Sequence, residues 1–208
     1  KTEKSSGEGV LTTGLNLAPH ATSGLHNFDT CPNSSHECRK NCLGTEAGGN
    51  KQYPDTALSA KVLKTHFLAL HPEHAARILD RELDNHVKKS KKLGMVPGVR
   101  LNVTSDIPYE KFSHGIFDRH PDAQFYDYSK NASRVGNPSN PKNLHVSLSH
   151  TGTGHAESND KQVVKALEAG HVVASVFHRG KDTPKATHLE DVKTGKRYPI
   201  VNGDDDDN

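Results

Sequence analysis

From residue 99 onward the chain alternates short runs of β-branched and aromatic residues with polar or helical connections, and this alternation limits the folds open to it. Residues 99–103, 124–128, 144–148 and 171–177 read as strands. Between them, residues 108–117 read as a short helix. Residues 159–169, with Val163, Val164 and Leu167 on one face, read as a longer helix that Gly170 ends. Strand–helix–strand units of roughly 20 to 30 residues pair in parallel through right-handed crossovers. The expected class is therefore α/β, a partial (β/α) barrel or an open, mostly parallel sheet. Residues 187–192, a Thr194-Gly195 turn and residues 197–201 read as a C-terminal β-hairpin.

The N-terminal half supplies different material. Residues 10–17 read as a short strand broken at Gly14. Leu58, Val62, Phe67 and Leu70, with Leu63 beside them, form an apolar stripe of helical character. Pro72 opens a second helix where its missing N–H costs nothing, and Ala75, Ile78, Leu79 and Leu83 carry a buried face toward Lys92, before Gly94 stops it. Lys88, Lys89, Lys91 and Lys92 fall in its last turns, where cations offset the helix dipole.

At 208 residues the chain can build one substantial core without help from metals or disulfides. Only 32% of it is hydrophobic, so that core is expected to be thin and the loops long and polar. With 27 basic and 25 acidic residues, the overall charge favours neither a nucleic acid nor an acidic substrate. No apolar run approaches the roughly 20 residues needed to cross a bilayer, and no signal-peptide core is present. A soluble, cytoplasmic protein with no membrane partner is expected. The expected organisation is a flexible lead-in at residues 1–9, one domain at 10–203 with a cysteine loop at 31–42, and an acidic tail at 204–208. Because the sequence begins at Lys1 and stops in a run of aspartates, residues are expected to be missing at one or both ends.

All three cysteines lie within Cys31-Pro-Asn-Ser-Ser-His-Glu-Cys38-Arg-Lys-Asn-Cys42. Their C-x6-C-x3-C spacing lets a loop and the first turn of a helix aim three sulfurs at one centre. The odd count keeps at least one thiol out of any internal disulfide. Thiolates are soft ligands for zinc, copper(I) or an iron–sulfur cluster. Three of them suit a structural zinc completed by His20, His26 or His36, and equally a cubane cluster with one iron left open. One disulfide with a spare thiol, or three ordinary thiols on a turn, is the plainer alternative.

Parallel sheets and barrels place their chemistry beyond the C-terminal ends of the strands. The residues there are Thr104, Ser105 and Asp106; Ser129, Lys130 and Asn131; Ser149, His150 and Thr151; and His178, Arg179 and Gly180. Turn chemistry accounts for any one of them. As a set they nominate Asp106, Lys130 and His150 as catalytic groups, with Ser105, Ser149 and His178 as cofactor contacts. Among the 15 histidines, His145 reads as strand surface and His155 as loop, leaving His150 where chemistry is expected. No Walker loop, dinucleotide fingerprint, nucleophile elbow or His-Glu-x-x-His helix occurs.

The order Cys31-Pro-x5-Cys38-x3-Cys42, a long helix, Val99-Arg-Leu-Asn-Val-Thr-Ser-Asp-Ile-Pro-Tyr, Phe125-Tyr-Asp-Tyr-Ser-Lys, a Leu-x-Val-Ser-Leu-Ser strand and Val201-Asn-Gly-Asp-Asp resembles the bacteriophage gene product 88 family. Tyr109 stands where that family leads one to expect Trp. More distantly, a cysteine segment followed by βα units resembles radical-SAM-type partial TIM barrels, although their usual spacing is C-x3-C-x2-C. The resemblance implies a phage-encoded protein in a host cell whose Cys31, Cys38 and Cys42 hold a [4Fe–4S] cluster. Its open iron would bind and reduce S-adenosylmethionine, or serve a redox relay, on an unknown substrate. The alternative is a non-enzymatic phage protein with structural zinc that binds a protein or nucleic-acid partner.

Overall fold

The computed structural model describes residues 9–42, 44–45, 55–112, 115–153, 156–177, 184–192 and 194–201. Five strands, β1 (Val10–Gly14), β2 (Val96–Arg100), β3 (Gln124–Ser129), β4 (Leu144–Ser149) and β5 (Val173–Ala174), pair in parallel and in sequence order. β6 (His188–Glu190) and β7 (Arg197–Pro199) form a separate antiparallel pair. The fold is thus an open α/β sheet with a C-terminal hairpin, as the residue pattern implies. Its strand order follows the chain without reversal.

The helices are α1 (His36–Lys40), α2 (Asp55–Leu70), α3 (Pro72–Lys92), α4 (Tyr109–Phe112), α5 (Ile116–Arg119) and α6 (Asp160–Glu168). Three expectations are corrected. The strand read at residues 99–103 runs instead from Val96 to Arg100, because its partner β1 ends at Gly14, opposite Arg100. Residues 108–117 do not form one helix: Gly115, at a φ of 78°, takes the left-handed conformation that caps α5 and separates it from α4. Residues 171–177 do not form a full strand, because β4 ends at Ser149 and leaves β5 only Leu148 and Ser149 to pair with. Val176 beyond it is fully exposed.

In a parallel sheet, registered residues point to the same side. Val99, Phe125, Leu144, Val146 and Leu148 share one face, and the helices cover it. Leu83 of α3, Tyr109 of α4 and Ile116 and Phe117 of α5 pack with Val99, Leu101 and Phe125 into the main core. Phe117 and Phe125 meet edge to face, their ring centres 4.6 Å apart. Val163 and Ala166 of α6 make a smaller cluster with Leu148. These two modest clusters are the thin core expected from composition.

The opposite face follows from the same register. It carries Thr12, Gly98, Arg100, Tyr126, Tyr128, His145, Ser147 and Ser149. A parallel sheet buried on both sides reads as continuous apolar runs. Here the strands alternate, so one face is core and the other is polar. Gly98 belongs to the close packing of β1 on β2: a Cβ there would lie 2.9 Å from Val10 Cγ1 and 3.0 Å from Thr12 Cγ2.

Candidate functional site

The cysteines sit on the connection after β1, at the C-terminal rim of the sheet. Cys31 lies on the loop, Cys38 inside α1 and Cys42 just beyond it. Ser35 caps α1 by accepting the Cys38 N–H at 3.2 Å, which fixes the turn between the first two thiols. The Cys31 thiol donates to Thr104 O at 3.7 Å and its sulfur accepts the His20 N–H at 3.4 Å. Cys42 accepts the Gly44 N–H at 3.3 Å. Two further bonds anchor the loop to the rim: Asp106 N–H donates to Thr30 O at 2.7 Å, and His36 N–H donates to the Glu157 carboxylate in the connection after β4.

Burial raises the Cys31 thiol to about 11, and the neighbouring charges of Cys42 and Asp106 add to that, against hydrogen bonds from His20 and Thr30. Cys42 is raised too, by burial first and by Cys38 among the smaller causes. The three thiols are therefore electrostatic neighbours, and none is in a disulfide. Among the described residues no three His, Cys, Asp or Glu side chains gather closely enough to hold a metal ion. The arrangement is a neighbourhood of thiols that does not form a converged ligand set.

Beneath the rim lies a buried ionic network that was not foreseen from the sequence. Arg134, 2% exposed, donates Nη1 to Asp106 Oδ1 at 2.9 Å and Nε to Glu110 Oε1 at 2.8 Å. Its Nη2 reaches Asp127 Oδ2 at 2.7 Å. Three carboxylates thus surround one guanidinium, and burial pushes the Asp127 carboxyl up to about 6 despite the opposing pull of Arg134 and Asn102. Asn102 uses all of its hydrogen-bonding capacity, donating to Asp127 and Ile107 O and accepting from Ser105 Oγ and Ile107 N–H. The Tyr109 hydroxyl is buried without a hydrogen-bond partner among the described residues, and a cavity of about 10 Å³, the room of a single water, lies among Tyr109, Asp127 and Arg134.

These contacts locate the nominated residues. Asp106 accepts from Ser129 Oγ at 2.6 Å and from the Lys130 N–H at 3.1 Å as well as from Arg134, so its carboxylate is engaged in holding the rim together. Ser105 is buried and turned onto Asn102. Lys130 is half-buried and donates Nζ to Ser149 Oγ at 3.1 Å, on the polar face. On that face the Tyr126 and Tyr128 rings stand 6.4 Å apart, and the Arg100 guanidinium lies 4.7 Å from the centre of the Tyr128 ring. His150 points toward α6, bonded to Ser175 and Asp160. His178 and His155 lie outside the described residues. The structure brings Cys31 and Asp106 together at one end of the rim and Lys130 with Ser149 at another, while His150 lies on the helix side.

Asp127 could have been found from the sequence, since it alternates with Phe125 on the same side of β3 and a carboxylate on a core face requires a partner. Arg134 carries no such signal, because it sits in a polar Asn-Ala-Ser-Arg turn that reads as solvated surface.

An open sheet wound in one direction, polar on the face away from its helices and bearing a thiol-rich loop on its C-terminal rim, defines the class of this protein. The chain belongs to the bacteriophage family described as Gene product 88, whose match spans residues 1–208. No curated protein and no solved structure matches it, so the comparisons lend no support to a likeness with radical-SAM barrels. Among the described residues no helix is long and apolar enough to cross a membrane.

Proposed function

We propose that this phage protein is a metalloprotein in which Cys31, Cys38 and Cys42 ligate an iron–sulfur cluster at the sheet rim, beside a polar face that receives an unknown substrate. The observation that carries this reading is the placement of three neighbouring thiols on the post-β1 loop, two of them accepting backbone N–H bonds at sulfur. Such bonds favour the thiolate that a soft metal requires. Three thiols on one loop are the donor chemistry that a three-cysteine cluster uses. Structural zinc would need a fourth ligand beside the three thiols. When bound, such a cluster supplies one-electron chemistry and an open iron for a cosubstrate such as S-adenosylmethionine.

The chain's own contribution would be orientation. Arg100 and Lys130 offer cationic donors to an anionic group, and Tyr126 and Tyr128 offer ring faces to a planar one. Asp106 acts as a positioning residue, since it joins the Cys31 end of the rim to the Lys130 backbone.

The test is iron, sulfide and zinc content of anaerobically purified protein, together with each Cys→Ser single variant. Iron and sulfide in comparable amounts, lost in all three variants, are expected. A colourless protein with one zinc would replace this reading with a structural site on a partner-binding protein. Metal content that none of the variants changes would remove both.

A further inference from the structure

We propose that Ser175 is an activated nucleophile, served by His150 as general base and Asp160 as its positioning residue, and that this site takes neutral carboxylic esters. His150 Nδ1 lies 3.1 Å from Ser175 Oγ, and His150 Nε2 lies 2.8 Å from Asp160 Oδ1. With a proton on Nε2 facing the carboxylate, Nδ1 is left as the acceptor for the serine hydroxyl. That is the logic of nucleophile, base and orienting acid, with the two ring nitrogens exchanged relative to the usual serine hydrolases.

The backbone holds the three groups in place. His150 follows β4 and Ser175 follows β5, and the His150 N–H donates to Ala174 O at 2.8 Å, which locks base and nucleophile side by side. Asp160 is the first residue of α6. Asn159 fixes that helix start by accepting from the Thr151 N–H at 2.9 Å and donating to Ser149 O at 3.0 Å. The site is also accessible: the Asp160 side chain is 48% exposed and that of His150 15%. Sheets of this kind place chemistry at this end of their strands.

Local charge selects the substrate class. The charged group in contact with His150 is the Asp160 carboxylate, while Lys130 is engaged with Ser149 on the other face of the sheet. Anionic phosphate esters are disfavoured there, and neutral esters are not. In the step itself the Ser175 Oγ–H proton passes to His150 Nδ1 as Oγ bonds to the carbonyl carbon and the π pair moves to oxygen. Collapse breaks the carbon–alkoxy bond, and the departing alkoxide takes the proton from His150. Water then hydrolyses the acyl-serine by the same proton path.

The full chain as purified is treated with a neutral fluorophosphonate probe, and the adduct is mapped by peptide mass spectrometry. One adduct on Ser175 is expected, with labelling slowed about a hundredfold or more in His150→Gln, within the range of general-base contributions. Asp160→Asn should both slow labelling and shift its pH profile to lower pH, because the imidazolium loses its anionic neighbour; a merely structural aspartate would leave the profile in place. p-Nitrophenyl acetate hydrolysis should follow the same order of variants. No adduct on Ser175 of the unsubstituted protein, or an adduct indifferent to His150, overturns the proposal. The result does not depend on metal content, so the cluster reading stands or falls separately.

Discussion

Arg134 Nη2 lies 2.7 Å from Asp127 Oδ2, the shortest contact that buried guanidinium makes with its three carboxylates. The pair joins the turn after β3 to the helix-covered face of the sheet. Removing the cation would strand three carboxylates at once, and breaking a buried pair costs about 3–5 kcal/mol. Arg134→Ala should therefore lower the unfolding free energy by at least that much in chemical denaturation, and a loss below about 1 kcal/mol would contradict the picture.

The same network sets a pH dependence. The Asp127 carboxyl, raised to about 6, holds its proton more tightly when folded than when unfolded, where about 3.9 is usual. Its contribution to stability is thus full below about pH 4 and is lost as pH rises through about 6. Asp127→Asn removes this dependence. Its melting temperature should climb relative to the unsubstituted protein between about pH 4 and pH 7, whereas parallel curves would show that Asp127 titrates normally.

Cys31 should be slow to alkylate in metal-free protein. Its thiol is raised to about 11, so at neutral pH the reactive thiolate is scarce, and the rate should keep rising with pH up to that value. Metal binding must displace this proton, so metal affinity should fall as pH falls. Residue-resolved alkylation by mass spectrometry across a pH series reads the first effect, and competition with a chelator of known affinity reads the second.

Phe125 and Lys91 make a paired comparison. Phe125 is 2% exposed at the centre of the main core, and Phe125→Ala should cost about 3–5 kcal/mol. Lys91 bonds Asp122 at 2.6 Å, but the two side chains are 61% and 59% exposed, so Lys91→Ala should cost under about 1 kcal/mol. Equal losses would mean that Phe125 does not anchor the core.

Gly136 and Gly170 separate crowding from backbone conformation. Both have positive φ, 62° and 80°. A Cβ on Gly136 would fall 2.1 Å from His171 Nε2, while Gly170 has open space around it. Gly170→Ala should cost about 1–2 kcal/mol, the left-handed penalty alone, and Gly136→Ala distinctly more. Thermal melts of the two variants decide the order.

The sheet was legible because its strands alternate so regularly: Phe125 with Asp127, and Leu144 with Val146 and Leu148, each declare a period of two between turn residues. Long helices were equally plain, with Pro72 and Gly94 near the two ends of α3. What the sequence hid was the use of its polar residues. Asp106 and Ser105 stand at a strand end like catalytic groups, yet Ser105 turns back onto Asn102 three residues earlier, and Arg134 is brought to Asp106 by tertiary packing that no local spacing encodes. Ser175 was hidden for a related reason, since a strand expected to reach Phe177 covers the position where the chain leaves the ladder and turns its hydroxyl to His150.

The winding order bears on how the protein is made. Within the five-stranded sheet each strand pairs with the one preceding it in the chain, so as synthesis proceeds β2 to β5 each meet a partner already present, and that sheet can grow unit by unit from its N-terminal edge. The cysteine loop departs from this sequence of events. The first N–H of α1 is met by Glu157, a carboxylate that emerges 121 residues after His36. Through most of synthesis the thiols would ride on a loop still lacking the Glu157 anchor, and the rim around them would be completed only when the connection after β4 has left the ribosome.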